Sequence, residues 1–449
     1  MTVAIRGGRV VLEDEIREAD VILEGERVAA IVTPGEGTAD SVVDALGLVV
    51  LPGAVDAHVH CDEPGRTEWE GFLAATRGAA AGGTTTIADM PLNSVPPTVD
   101  GASFDVKRAA LERSAVVDVA LWGGMVGADP RPLAELALRG VVGVKAFMSD
   151  PGVPEFARLD DETLRSGLGE AARLGLLVGV HAEDEALTRE AATALRASGR
   201  ADPDAWLASR PIEAEVSAIG RVLAFAAETG ARIHVLHASG ADAVGAVRSA
   251  SGVDASVETC PHYLVFTDED ARRLGPLLKC APPIRDAANR ERLWTRLLAG
   301  DIDFVASDHS PSAAALKAGD DIWHAWGGVT GVQSLLTALL SEGVHRRGLG
   351  LERLARLVAT APARRLGLYP RKGAIRVGAD ADIVLVDAER DSTLEPEALQ
   401  AKSGVSPYLR RVFHGAVVRT MVRGRTVFRD GDIAVEAGYG RFVPSMGPS

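Results

Sequence analysis

The repeating pattern of this chain first appears in Ala54-Val55-Asp56-Ala57-His58-Val59-His60, a short apolar run that ends in two histidines. Side chains along a β-strand alternate between its two faces, so residues two positions apart point the same way. His58 and His60 can therefore face one side of a strand while Val59 faces the other. Two neutral imidazoles on one side can hold a divalent metal ion. The alternative interpretation is that both histidines are simply polar residues at the end of a strand.

Seven further apolar runs follow, and helical stretches rich in Ala, Leu and Arg separate them. The eight runs are Ala54–His60, Thr84–Met90, Val116–Trp122, Val141–Phe147, Leu176–His181, Arg232–His237, Val253–Cys260 and Asp303–Asp308. Repeated units of a strand and a helix predict an α/β fold in which eight parallel strands close into a (β/α)₈ barrel. A doubly wound open sheet is the competing architecture, but the chain has no GxGxxG or GxxxxGKS/T phosphate-binding turn.

Both ends of the chain look different from this middle part. Residues 1–50 and 373–435 predict short strands separated by glycines and charged turns. Neither end has enough apolar residues for a core of its own. We therefore predict that residues 1–52 and 371–449 pair into one small β-sandwich domain beside a catalytic barrel formed by residues 53–370.

Composition and charge exclude several classes of protein. The net charge of −14 argues against nucleic acid or an anionic membrane as a partner. Three widely spaced cysteines without a CxxC pair argue against a disulfide framework and for a reducing compartment. The N-terminus lacks an apolar run of signal-peptide length, and no stretch reaches the ~18 apolar residues of a membrane span. We expect a soluble cytoplasmic protein.

Lys145 lies inside the apolar run Val141–Phe147. An ammonium group in such a strand is unfavourable unless it is paired or neutralised. One interpretation is an ion pair with a carboxylate. The other is a neutral amine that has captured CO₂, giving a carbamate whose two oxygens could bridge two metal ions. The sequence leaves both open.

Three more polar residues close apolar runs: His181 the fifth, His237 the sixth and Asp308 the eighth. Each alone could be a loop cap, but barrel active sites lie at the carboxyl ends of the strands. We therefore predict a centre of two ions. The ligands predicted for the first ion are His58, His60, Lys145 and Asp308, and those for the second are Lys145, His181 and His237.

At this point the sequence resembles the amidohydrolase superfamily, specifically its cyclic-amidase branch, over nearly the whole chain. In that branch a carbamylated lysine bridges two zinc-like ions, which implies that Lys145 is an N6-carboxylysine. The resemblance implies two divalent ions per chain, with zinc as the first choice and manganese, cobalt or iron as alternatives. Relatives are often tetramers, so a homotetramer is expected.

Within this branch, several stretches are similar to those of the allantoinase group. They are Glu63–Phe72, Asp89–Ser94, Pro96–Thr98, Lys279–Arg285 and Ala325–Gly328. Dihydroorotases carry an arginine where this chain has Asp62, and hydantoinases and dihydropyrimidinases place a tyrosine where it has Asp150. The resemblance implies that the small-molecule substrate is allantoin, a hydantoin ring with a neutral ureido group, and that the product is allantoate.

The implied chemistry is attack of an activated water on the ring amide, with Asp308 as general base and then general acid. For substrate contacts we predict Asn93, His262 and the main chain at Cys280, although the two side chains could serve only as loop residues. Residues 313–326 are expected to form either a mobile lid or a surface helix with a break at Gly319. The rival enzymes are a hydantoinase, a dihydropyrimidinase and a dihydroorotase-like hydrolase. The rival outside enzymes is a metal-free structural homologue, which should have lost ligands.

Overall fold

The computed structural model describes residues 1–129 and 131–447 of the chain. Residues 1–52 contain seven strands and no helix. Most of these strands are short, and several are separated by turns that contain glycine. They are β1 (Thr2–Arg6), β2 (Arg9–Val11), β3 (Ile16–Glu18), β4 (Asp20–Glu24), β5 (Arg27–Val32), β6 (Ser41–Asp44) and β7 (Val49–Pro52). Gly25 has a φ of 58° in the tight turn from β4 to β5, a conformation that glycine adopts at little cost.

The next strands form the barrel. They are β8 (Ala54–Val59), β9 (Thr84–Asp89), β10 (Asp118–Leu121), β11 (Gly123–Gly124), β12 (Val144–Phe147), β13 (Leu177–His181), β14 (Arg232–Val235), β15 (Ala255–Thr259) and β16 (Phe304–Val305). Each pairs in parallel with its neighbours in chain order, except that β10 pairs with β9 while β11 pairs with β12. The two are halves of one barrel strand, interrupted at Trp122, so eight strand positions result.

The barrel closes between its first strand and the segment that follows its last one. The His60 N–H donates to the His309 carbonyl at 2.7 Å, and Val59 and His309 form an isolated parallel bridge. Helices follow most strands and cover the outside, as the alternating pattern predicts. They are α1 (Gly71–Ala81), α2 (Gly101–Ser114), α3 (Arg131–Leu138), α4 (Asp161–Leu174), α5 (Glu185–Ala197), α6 (Pro203–Ser209), α7 (Ile212–Thr229), α8 (Ala241–Ser249), α9 (Pro261–Val265), α10 (Asp268–Leu274), α11 (Ala287–Ala299), α12 (Leu335–Leu339), α13 (Leu351–Ala355) and α14 (Ala361–Arg365).

Helix ends follow local sequence signals. Asp160, Asp202 and Asp286 precede helices, and each side chain accepts a hydrogen bond from a backbone N–H of the first turn, which stabilises the N-terminus. Gly175 and Gly230 end α4 and α7 in the left-handed conformation. Among the described residues, no helix combines the length and the apolar composition that a membrane crossing needs.

The last strands return to the N-terminal ones. They are β17 (Ile383–Thr393), β18 (Val412–Val422), β19 (Arg425–Arg429) and β20 (Asp432–Ile433). One sheet has the order β20-β19-β18-β17-β7-β2-β3 and a second has β5-β4-β1-β6, so the first contains strands from both ends of the chain. Ile5 and Val21 of the smaller sheet share a buried core with Val50 and Ile383 of the larger. This confirms the predicted barrel with a β-sandwich built from both termini.

The predicted domain boundaries remain a prediction, and the C-terminal segment also reaches the barrel. The Val119 N–H in β10 donates to the Arg441 carbonyl at 2.9 Å, and the Val443 N–H donates to the Val119 carbonyl at 2.8 Å. The end of the chain therefore runs beside a barrel strand and not only along the sandwich.

A buried ion network joins the two parts. Lys372 Nζ lies 2.6 Å from Asp118 Oδ2 and 2.7 Å from Asp382 Oδ2. The same ammonium is 2.9 Å from Asp380 Oδ2, and the Arg423 guanidinium also pairs with Asp118. Asp118 begins β10, and Asp382 immediately precedes β17. Because buried carboxylates require cations, this network favours one arrangement of sandwich and barrel.

We expect Lys372→Met to destabilise the protein, because it removes the cation paired with buried Asp382 and one of the two cations paired with buried Asp118. Breaking a buried ion pair from one side costs about 3–5 kcal/mol, which calorimetry should register as a clear fall in Tm. Arg131→Met is the matched control, since Arg131 and Asp129 form a solvent-exposed pair, and such pairs contribute little to stability. Equal Tm values for the two variants would contradict the role given to the network.

Candidate metal centre

The barrel brings the six predicted ligands to its carboxyl-terminal mouth. His58 is the second-last residue of β8, and His60 directly follows that strand. Lys145 lies in β12, and His181 is the last residue of β13. His237 and Asp308 follow β14 and β16 by two and three residues, since these strands end earlier than the apolar runs predicted. All six are 0–8% exposed. All except His58 line one cavity of about 630 Å³.

The four side chains predicted for the first ion lie together. His58 Nε2 is 3.3 Å from Asp308 Oδ1 and 3.2 Å from Lys145 Nζ. His60 Nε2 is 3.7 Å from the same Asp308 oxygen. Ligand atoms of the two histidines and the aspartate all lie within 4.8 Å of one another, a spacing that one ion could draw together.

The two histidines predicted for the second ion are also adjacent. His181 Nδ1 lies 3.1 Å from His237 Nε2. The centroids of the His58 and His237 rings are 5.3 Å apart, so the two groups form a continuous cluster. How the six residues divide between two ions remains a prediction.

Two buried carboxylates determine which ring nitrogen of His58 and of His181 is available to bind a metal ion. Glu258 Oε1 lies 2.7 Å from His58 Nδ1, and Glu183 Oε2 lies 2.7 Å from His181 Nε2. An imidazole that donates one N–H to a carboxylate keeps a lone pair on its other nitrogen. In His58 the nitrogen with the lone pair is Nε2, which faces Lys145 and Asp308. In His181 it is Nδ1, which faces His237. The donor set therefore fits divalent cations.

Burial keeps the histidines neutral, as metal ligands must be. It lowers the pKa of His58, His60 and His237 well below the usual value, and the nearby Lys145 charge acts in the same direction. The pKa of His181 is also lowered by burial, although the hydrogen bond to Glu183 opposes the change.

Lys145 and Asp308 are shifted toward their neutral forms. Burial lowers the pKa of Lys145 to about 8, against the opposing charges of Asp308 and Glu258. Burial raises the pKa of Asp308 to about 7, with Lys145 opposing. Within the described part of the chain, no carboxylate oxygen lies within 4.0 Å of Lys145 Nζ. The simple ion-pair interpretation of this lysine therefore has no close partner.

Backbone conformation marks the same region. Asp62, Asn93, His237 and Asp308 have φ values of 58°, 67°, 40° and 45°. Residues other than glycine rarely adopt this left-handed conformation, and such outliers cluster at functional sites.

The three predicted substrate contacts are placed differently. Asn93 and Cys280 line the cavity, but the Cys280 carbonyl already accepts a hydrogen bond from Trp206 Nε1 at 2.8 Å. His262 is fully buried, and its two ring nitrogens have no hydrogen-bond partner among residues 1–129 and 131–447. One of its nitrogens lies within 4.8 Å of an Asp308 oxygen.

Sequence reasoning missed Glu183 and Glu258. Glu258 contacts three groups: His58 Nδ1, His234 Nε2 at 3.0 Å and the His237 N–H at 3.2 Å. A signal was available, because Glu258 lies inside the apolar run Val253–Cys260 as Lys145 lies inside its own run. Glu183 lies two residues beyond the end of β13. Carboxylates are common in loops at strand ends, so the sequence does not mark Glu183 as part of the site.

Comparisons with known proteins identify the family of the chain. The model of the amidohydrolase family matches residues 49–427, most of the chain. The chain therefore belongs to the amidohydrolase family. The family and the donor set together support the use of divalent metal.

Two allantoinases are similar over nearly the full length. The allantoinase of Rubrobacter xylanophilus is 52% identical over 98% of this chain and 96% of its own. That of Solibacter usitatus is 50% identical over 97% and 95%. Among solved structures, the L-hydantoinase (dihydropyrimidinase) of Arthrobacter aurescens has a TM-score of 0.95 at 36% identity, covering 98% of this chain and 99% of that one. The resemblance stated from the sequence is confirmed, as is the class, a hydrolase of cyclic amides.

We expect Glu258→Gln to weaken metal binding by about 10–100-fold, the usual effect of losing a carboxylate that orients a ligand histidine. Competition with a chelator measures this directly. Glu215→Gln is the matched control, because Glu215 is also a buried carboxylate but contacts Ser239 and Arg285. Similar metal affinities in the two variants would contradict the orienting role of Glu258.

Proposed function

We propose that this protein hydrolyses the hydantoin ring amide of allantoin and releases allantoate. The observation that carries the proposal is the pair of donor groups at the barrel mouth, opening into one cavity. Similarity to allantoinases at 52% and 50% identity supports the choice of substrate.

We propose two divalent ions as cofactors, with zinc as the first choice, since imidazole and carboxylate donors suit it. The proposed ligands are His58, His60, Lys145 and Asp308 for one ion, and Lys145, His181 and His237 for the other. When bound, such ions would make the ring carbonyl more electrophilic and a nearby water more acidic.

Lys145 is proposed to carry a carbamate. Its neutral amine attacks CO₂, an N–C bond forms, and the nitrogen loses one proton. The product is an anion with two oxygens, in place of a buried cation. The proposal is supported by the burial of Lys145 and by its position 3.2 Å from His58 Nε2 without a nearby carboxylate partner in the described chain.

Asp308 is proposed as the proton carrier. It lines the cavity, and its carboxylate can accept a proton as water attacks the carbonyl carbon. The ring C–N bond then breaks, and Asp308 returns the proton to the leaving nitrogen. Asn93, His262 and the main chain at Cys280 remain proposed substrate contacts. The homotetramer and the cytoplasmic location also remain predictions.

A hydantoinase or dihydropyrimidinase is the second candidate, because the Arthrobacter aurescens enzyme shares the fold at a TM-score of 0.95. We expect kcat/KM for allantoin to exceed that for hydantoin and dihydrouracil by at least about tenfold, as a specifically recognised substituent provides. Steady-state assays of the zinc- or manganese-loaded protein decide the matter. Faster hydrolysis of the two simpler rings would favour the second candidate, and metal well below one ion per chain would favour a metal-free homologue.

We expect Lys145→Ala to lose nearly all activity and to regain part of it with added short-chain carboxylic acids, which can replace the missing carbamate. Asp308→Asn is the matched control, because it removes a proton carrier worth about 10²–10⁴-fold in rate and leaves Lys145 in place. Rescue of both variants, or of neither, would contradict the carbamate proposal.

A further inference from the structure

Lys279 lies in the wall of the same cavity, and the proposed chemistry does not use its side chain. Its side chain is largely buried, with the residue only 7% exposed. The ammonium donates to the Ala325 carbonyl at 2.5 Å and lies 4.3 Å from the Trp206 ring centroid. These contacts hold the ammonium in place but supply no negative charge.

The charged groups around Lys279 are mostly cations. No carboxylate oxygen of the described residues lies within 4.0 Å of its ammonium. Burial, together with Lys317, Arg210 and Arg196, lowers the pKa of Lys279 to about 7, and Asp321 opposes this more weakly. Arg210 is already paired with Glu183. A buried ammonium without a counter-ion is unfavourable, so this wall favours an anion.

Arg196 adds a second unpaired cation to the same wall. Its guanidinium lies 4.4 Å from the Trp323 ring centroid, and within residues 1–129 and 131–447 it forms no ion pair. Both Arg196 and Trp323 line the cavity. Arg189 also lines it, but Glu185 lies 3.9 Å away. Apart from Lys145 at the candidate metal centre, Lys279 and Arg196 are therefore the lysine and arginine side chains of the described cavity lining that have no carboxylate partner.

The backbone fixes the position of Lys279. The Gly328 N–H donates to the Lys279 carbonyl at 2.7 Å, while the Lys279 ammonium donates to Ala325. Lys317 in turn donates to the Trp326 and Gly328 carbonyls at 3.1 and 2.7 Å. The stretches 279–285 and 325–328 thus meet at Lys279, which is held ready before any ligand arrives.

We propose that Lys279, assisted by Arg196, forms a carboxylate-binding subsite in the cavity wall, and that its ligand is the ring-opened product. The identity of the ligand rests on the proposed function. Hydrolysis of a neutral ring amide creates a carboxylate beside Asp308 in this cavity. Once the product moves away from the candidate metal centre, its carboxylate can neutralise Lys279, which the uncharged substrate cannot do. The subsite therefore holds product more strongly than substrate.

Calorimetric titration of the metal-loaded protein with ureidoacetate and its neutral amide tests this. The two probes differ only in the carboxylate. We expect Lys279→Met to weaken ureidoacetate binding by at least about tenfold, the value of one charge-assisted hydrogen bond, and to leave the amide unchanged. Arg189→Met is the matched control and should change neither, because Arg189 is exposed and lies near Glu185.

Lys279→Met also releases the Ala325 carbonyl, so Lys279→Arg is measured beside it and should retain most of the carboxylate preference. Arg196→Met should weaken ureidoacetate binding by a few-fold. Unchanged carboxylate binding in Lys279→Met, or equal loss of both probes in Lys279→Met and Lys279→Arg, would overturn the subsite. Failure of the wild-type protein to hydrolyse allantoin would instead overturn the proposed function, because the titrations require no turnover.

Discussion

The His58 imidazole contacts side chains from three other barrel segments, and this requirement ties the candidate site to the closed barrel. Nδ1 lies 2.7 Å from Glu258 of β15. Nε2 lies 3.2 Å from Lys145 of β12 and 3.3 Å from Asp308, beyond β16. The contact with Asp308 requires the first barrel strand to lie beside the segment that follows the last one, so this part of the site is present only in the closed barrel.

Burying charged groups is electrostatically unfavourable, and in the candidate site the buried carboxyl groups of Glu258 and Glu183 are paired with histidine and arginine side chains. Burial raises the pKa of Glu258 to about 8, against the His237 N–H and Lys145. This carboxyl still serves histidines of both ligand groups. On the other side, Glu183 joins His181 to Arg210. Arg210 lies 4.8 Å from the Trp206 ring centroid, and the same indole contacts Lys279. The predicted metal ligands and the cavity wall around Lys279 are thus parts of one packed structure.

Much of this could be predicted from local pattern. Each apolar run contains a barrel strand, and polar residues at strand ends share one mouth because parallel strands end at the same edge. The division of one strand at Trp122 and the short β16 could not be predicted, since they depend on pairing with neighbours. Glu183 was missed because its role depends on His181 and Arg210, which are brought together only by folding. The hydrogen bond between Trp206 and the Cys280 carbonyl could not be predicted either, because it joins residues far apart in sequence.

We propose that six side chains at the barrel mouth surround a pair of divalent ions. Anomalous diffraction from crystals of the metal-loaded protein, recorded at the absorption edge of the metal, tests it most directly. We expect two peaks, one near His58, His60 and Asp308 and the other near His181 and His237. The absence of peaks, or peaks only elsewhere in the molecule, would contradict the account.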